Sequence, residues 1–185
     1  MAAPQEFEPA PLSRAALWFF PALWLALVVM NLLLRHDTLL RATPTNPVPP
    51  WLVMLFGVAL VVVGPFILLQ VRRIRIVDGV LAINAAGLFA HKVSPRDLDL
   101  DSARIIDLDE HDELKPRLRL WGLGLPGFHA GHYLLRNRAR AFCLLTRRAK
   151  VLVLPRRDGR FVLLSPEKPQ ALLDRLRELA ASRRR

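Results

Sequence analysis

The spacing of apolar and polar positions changes character near the middle of the chain. No charged residue stands between Arg14 and Arg35, and none between Arg41 and Arg72. A helix rising about 1.5 Å per residue needs roughly 20 residues to cross a hydrocarbon core of about 30 Å, and both runs reach that length. The first, AALWFFPALWLALVVMNLLL over residues 15–34, carries Trp18, Phe19, Phe20 and Trp24 toward its start, where amphipathic rings prefer a membrane interface. The second, WLVMLFGVALVVVGPFILLQV over residues 51–71, opens on Trp51. The first run ends Met30-Asn-Leu-Leu-Leu-Arg35 without the small residues of a signal-peptide cut site. The pattern therefore predicts an uncleaved two-helix transmembrane hairpin over residues 15–71. Within it, Gly57 and Gly64 lie near one face and would admit the first span closely, with Asn31 available for an interhelical hydrogen bond.

Outside that hairpin the periods are short. Residues 1–14 are rich in Pro and Ala and are expected to be disordered. From Arg72 onward, RRIRIV alternates Arg73 and Arg75 with Ile74 and Ile76, which predicts a strand with charge on one face. Asp78-Gly79 then marks a hairpin turn into VLAIN, and Ala86-Gly87 a second turn into LFAHKV. ARIIDLD adds a candidate fourth strand. Two further hairpins follow, HYLLR with RAFCLLT around Asn137-Arg138, and KVLVLP with RFVLLS around Arg157-Asp158-Gly159. Ser165-Pro166-Glu167 reads as a helix N-cap, and Leu172, Leu173, Leu176 and Leu179 then form one apolar side of a C-terminal helix.

Charge sharpens this division. The net charge of +11 lies wholly after the apolar runs, with 24 Lys or Arg against 13 Asp or Glu from Arg72 onward. The excess of Arg after the second run, set against only Arg35 and Arg41 in the connecting loop, places both termini in the cytoplasm. A basic domain held there would be attracted to an anionic leaflet by about 1 kcal/mol per basic residue near the surface. Nucleic acid ranks below the bilayer as a partner, because no nucleic-acid motif is present. The lone Cys143 has no internal disulfide partner and lies in an apolar run, as a small core residue does.

Three motifs invite chemistry. Gly122-Leu-Gly-Leu-Pro-Gly127 spells GxGxxG, but a dinucleotide fold needs a strand before it and a helix after it, whereas Pro126 and the strand-like FHAGHYLLR follow here. Gly122, Gly124 and Gly127 read instead as turn-permitting residues beside Pro126, with Trp121 and Phe128 folding inward or facing outward as a candidate interaction loop. Asp97-x-Asp99-x-Asp101 resembles the start of a calcium loop but has Ser102 and Leu108 where glycine and glutamate belong. It reads as a solvated acidic edge, with Asp107, Asp109, Glu110, Asp112 and Glu113 nearby. His129 and His132 would diverge on a strand, and His111 adds no ligand spacing. The chain is thus expected to carry no catalytic residue, no metal and no cofactor.

The order of short strands followed by one terminal helix, the stretch RLWGLGLPGFHAGHYLLRNRARAFCLLTRRAKVLVLP and the closing LLSPEKPQALLDRL together resemble the bacterial pleckstrin-homology-like domain family, in the variant with two N-terminal spans. The resemblance implies a mainly-β, partly open barrel of about seven strands over residues 72–182, capped by one helix and cytoplasmic. The whole would sit in a bacterial inner membrane. It also implies non-enzymatic protein association and a tendency to homo-oligomers. Phosphoinositide-binding relatives carry basic residues around the first hairpin, which makes Arg72, Arg73 and Arg75 candidate membrane or phosphate contacts. The turn itself is Asp78-Gly79, a departure from that pattern. An anionic-lipid-binding module is the alternative, and a nucleotide sensor or enzyme built on the Gly122–Gly127 loop is a distant third.

Overall fold

The computed structural model describes residues 5–33, 50–85 and 87–182. The connector with Arg35 and Arg41, and the Arg183–Arg185 tail, lie outside the described residues. Two antiparallel turns of chain open the β structure. Strand β2 (Arg73–Val77) buries Ile74 and Ile76 and leaves the arginines outward, as the alternation requires. It turns through Asp78 and Gly79, whose φ of 50° and 69° are the paired positive angles of a hairpin turn matched to strand twist, into β3 (Val80–Ala85). Strand β4 (Phe89–Val93) completes the meander.

The first segment departs from expectation. Residues Gln5–Phe7, read as disordered, form strand β1, paired antiparallel with β2 so that Glu6 lies opposite Arg75. The backbone continues alongside the end of the domain, with Ala10 N–H donating to Ser165 O at 2.8 Å. A four-stranded sheet ordered β1-β2-β3-β4 results.

The second sheet is built from β5 (Arg104–Ile106), β6 (Pro116–Leu125), β7 (Phe128–Leu135), β8 (Arg140–Leu145), β9 (Val151–Pro155) and β10 (Phe161–Leu164), in the order β5-β9-β10-β8-β7-β6. The β7–β8 and β9–β10 hairpins fall where the turn residues place them. Strand β10 then inserts beside β8 in parallel, Phe161 opposite Ala141 and Leu164 opposite Leu144. Strands β8 and β9 are apolar without alternation because both of their faces are covered. One face joins the main core with Phe128, Phe142, Leu152 and Leu154. The other forms a second cluster, Cys143, Leu145, Val151, Val153 and Leu163, roofed by Ile106, Leu108 and Leu114 of the acidic segment.

Helix α3 (Pro169–Ser182) caps the main core with Leu172, Leu173 and Leu176, the first and last fully buried. Each such leucine contributes about 1.5–3 kcal/mol by leaving water. The helix starts later than the N-cap reading had it. Ser165 is buried and its hydroxyl donates to Arg147 O at 3.1 Å, while Pro166 bridges to Pro9, so both belong to the end of the sheet.

Helices α1 (Arg14–Leu33) and α2 (Pro50–Gln70) form over the two apolar runs, yet the two-span hairpin over 15–34 and 51–71 is not supported. Among the described residues no helix is long and apolar enough to cross a membrane. That finding removes the basis for placing the chain as a two-span protein of an inner membrane with both termini cytoplasmic. Part of the apolar character of these runs is used within the chain. Ala16 and Phe20 of α1, and Val62 and Leu69 of α2, belong to the same buried cluster as Ile74, Leu81 and Leu172. The Phe20 and Phe66 rings meet edge-on at 6.0 Å. Trp18, Leu25, Phe56 and Leu60 remain exposed. A Cβ at Gly57 or Gly64 would meet nothing within 4 Å, so neither glycine marks a close helix crossing. The side chain of Asn31 lies outside the described residues. The architecture is thus a mainly-β pair of sheets with a terminal helix, richer in strands than the seven expected.

Candidate functional site

The basic first strand is already occupied. The Arg72 side chain donates from Nη1 to Ala10 O at 3.1 Å. Arg75 Nη2 lies 3.2 Å from Glu6 Oε1, and Arg73 Nε lies 3.9 Å from the same carboxylate. Strand β1 therefore lays an acidic residue across the face that was the candidate for phosphate or membrane contact. The three arginines are brought together, but toward the chain's own N-terminal segment.

The GxGxxG stretch is a strand and a turn. Residues 122–125 are the end of β6, Pro126-Gly127 forms a two-residue turn, and β7 follows directly, with no helix on which a pyrophosphate could sit. Gly127 has φ 74°, the angle the second turn position takes after a proline. A side chain there would also overlap Ser13 Oγ, because the hairpin tip packs on the segment leading into α1. Gly122 has a different role. It lies opposite Gly131 of β7 next to an irregularity in the register, with φ 155° and 116° at the two positions. A Cβ on Gly122 would overlap the Ala130 carbonyl oxygen and stand 2.9 Å from Gly131 Cα. Gly124 is the least constrained, its Cβ position 3.0 Å from the Tyr133 hydroxyl.

The two ends of the candidate interaction loop part company. Phe128 is fully buried, whereas Trp121 is 71% exposed, with Leu118 and Leu120 also exposed on the same strand. Trp121 is supported from beneath by the Phe89 ring at 6.5 Å, edge-on. Among the described residues β6 pairs only with β7, so its other edge carries unpaired backbone groups.

The histidines separate as a strand dictates. His129 is half-buried against the Tyr133 ring at 5.5 Å, and burial lowers its pKa. His132 meets His91 at 5.6 Å and Phe142 at 5.2 Å. His91, on β4, stacks on Phe142 at 4.7 Å with rings 15° apart. Burial, then the neighbouring His132, Arg156 and Arg160, push the His91 pKa down to about 4, against a smaller upward pull from Asp158. These side chains line a cavity of about 170 Å³ together with Leu120, Arg140, Ala141 and Phe161. Sequence reasoning did not find this cluster. Its members come from β4, β6, β7, β8 and the β9–β10 hairpin, and the local signal was only the Arg156-Arg157-Asp158-Gly159-Arg160 turn.

The acidic segment forms ion pairs with the basic strands. Arg136 Nη1 lies 2.9 Å from Asp112 Oδ2 and Arg148 Nη1 3.2 Å from Asp109 Oδ1, while Asp97 O accepts from Arg157 N–H. Cys143 is fully buried, and burial raises its thiol pKa far above the ordinary value.

Two sheets packed about one core, with a terminal helix over it and no helix after the glycine-rich stretch, define a mainly-β module of the pleckstrin-homology type. A family profile described as bacterial PH domain matches residues 73–180, and the chain belongs to that family. No curated protein and no solved structure matches the chain.

Proposed function

We propose that the chain is a non-enzymatic association module, in which the PH-like domain joins a second copy of itself through the outer edge of β6. The observation that carries this reading is the exposed edge strand, ten residues long, with Leu118, Leu120 and Trp121 uncovered. An open strand edge is a template for main-chain hydrogen bonding, and apolar side chains along it are a contact surface. Strand β6 also suits a two-fold partner. Antiparallel pairing centred on Leu120 sets Arg119 of one copy opposite Trp121 of the other, a cation over an aromatic face rather than arginine against arginine.

The test is the molar mass of the full chain by light scattering after size exclusion, compared with Trp121→Glu and Leu120→Pro. A dimer that both variants reduce to monomer supports the reading, and an unchanged mass in all three overturns it. A second reading, contact with lipid, is favoured by the exposed Trp18, Leu25, Phe56 and Leu60 on the helices, since an apolar surface of this kind marks a protein or lipid contact. It needs no specific headgroup. Flotation of the full chain with vesicles of neutral phosphatidylcholine at high salt would support it, and failure to float would remove it.

A further inference from the structure

The cavity between β4, β7, β8 and the β9–β10 hairpin gathers five nitrogen-bearing side chains on one small space: His91, His132, Arg140, Arg156 and Arg160. Among the described residues one carboxylate faces them. Asp158, in the β9–β10 turn, lies 3.1 Å from Arg156 Nη2 and 3.7 Å from Arg160 Nε, and holds both guanidiniums at the rim. Two nitrogens of these same side chains, His91 Nε2 and Arg156 Nε, are buried without any hydrogen-bond partner. Leaving a buried donor or acceptor without a partner is unfavourable, so a ligand that met these atoms would be stabilised by them. The remaining walls, Leu120, Phe142 and Phe161, offer no acceptor from their side chains. The unmet need is for an anionic acceptor.

Size selects among anions. At about 170 Å³ the space is below the roughly 300–1,000 Å³ of pockets that hold drug-sized ligands, which excludes a dinucleotide and suits a tetrahedral oxyanion. Arg140 and Arg160 are exposed and form the entrance, while Arg156 is the more enclosed, its side chain 19% exposed. A planar guanidinium matches a phosphate edge with two parallel N–H donors, and charge-assisted bonds of this kind are about twice as strong as neutral ones.

We propose that this cavity is an oxyanion site taking a phosphomonoester or free phosphate, with Arg156 and Arg160 as its charged clamp, His91 Nε2 as an inner hydrogen-bonding atom and Arg140 at the mouth. The site shares Leu120 with the β6 edge but draws its charged groups from β4, β7, β8 and the β9–β10 hairpin. It lies at a different place from the basic first strand, where Arg72 donates to Ala10 O and Arg73 and Arg75 face Glu6.

The experiment is calorimetric titration of the full chain with inorganic phosphate at low ionic strength, alongside Arg160→Gln and Arg140→Gln, both at exposed positions. The expected result is saturable binding by the wild type that weakens at least about tenfold in Arg160→Gln and severalfold in Arg140→Gln, as loss of a charge-assisted bond predicts. Circular dichroism confirms that each variant is folded. No saturable binding by the wild type, or equal binding by both folded variants, overturns the proposal. Two arms then identify the source. Vesicles bearing phosphatidic acid that compete with free phosphate assign a lipid headgroup, and vesicles that do not compete assign a soluble phosphate. A sulfate titration supplies an independent reading, because sulfate keeps its charge between pH 7.5 and 5.5. If a bound anion restores His91 from about 4 to its ordinary value, against Arg156, Arg160, His132 and Arg140 and with Asp158, sulfate binds about tenfold tighter at the lower pH. A flat profile places His91 outside the site and overturns its assigned role.

Discussion

Replacing Gly122 by alanine tests whether the glycine-rich stretch exists for the fold. The added methyl would overlap the Ala130 carbonyl oxygen and stand 2.9 Å from Gly131 Cα, so two backbones must separate inside a paired ladder. The φ of 155° adds strain of about 1–3 kcal/mol for a side chain at a sparsely populated angle. Overpacking without room to relax adds about 1–3 kcal/mol more. A loss of about 2–6 kcal/mol is therefore expected, a large share of the roughly 5–15 kcal/mol typical of a domain. Gly124→Ala is the internal control. It lacks a left-handed φ and needs only the Tyr133 hydroxyl to yield slightly, so its cost should stay near or below about 1 kcal/mol. Urea denaturation of both variants, followed by tryptophan fluorescence, measures the difference. A Gly122→Ala midpoint equal to that of the wild type, or a Gly124→Ala loss as large as that of Gly122→Ala, would refute the close strand approach.

Further outcomes follow from the same packing. The His91 pKa is depressed in the folded chain, so the unfolded state takes up its proton first and stability falls as pH drops from about 6.5 toward 4. The full shift would correspond to about 3 kcal/mol, and partial exposure reduces this to about 1–2 kcal/mol. His91→Phe, which keeps the stack on Phe142, should flatten that part of the denaturation-versus-pH curve, and an unchanged slope would contradict the assignment. Tyr133→Phe removes a 2.6 Å hydrogen bond to Leu123 O and should cost about 1 kcal/mol by urea melting, with no loss meaning that the bond contributes nothing. Native Cys143 should react with a thiol reagent only at the rate of global unfolding, and rapid labelling of folded protein would show that the second cluster opens.

Local chemistry was readable where a few consecutive residues decide the backbone. Asp78-Gly79 and Asp158-Gly159 announced their turns because Asp78, Gly79 and Gly159 take positive φ there, and Leu172, Leu173 and Leu176 announced a helix face by their spacing. Strand β6 was not readable. Its glycines resemble a loop, and only a partner strand with Gly131 opposite Gly122 turns the same residues into a ladder. The apolar runs were ambiguous for a related reason, since hydropathy reports how unfavourable water is for a side chain and not which apolar surroundings will cover it.

What the amino-acid sequence determined by itself is the set of short-range elements, the β-rich composition after Arg72 and the terminal amphipathic helix, because turn angles and side-chain periods act over a few residues. The tertiary structure alone decided the pairings between distant segments. The N-terminal strand lies against β2 and places Glu6 on the arginines, β10 inserts parallel to β8, and His91 comes to face His132, Arg156 and Arg160 across two sheets. Those contacts depend on sheet order and loop closure, which no local pattern encodes, and they place the basic pocket where elements far apart in the chain meet.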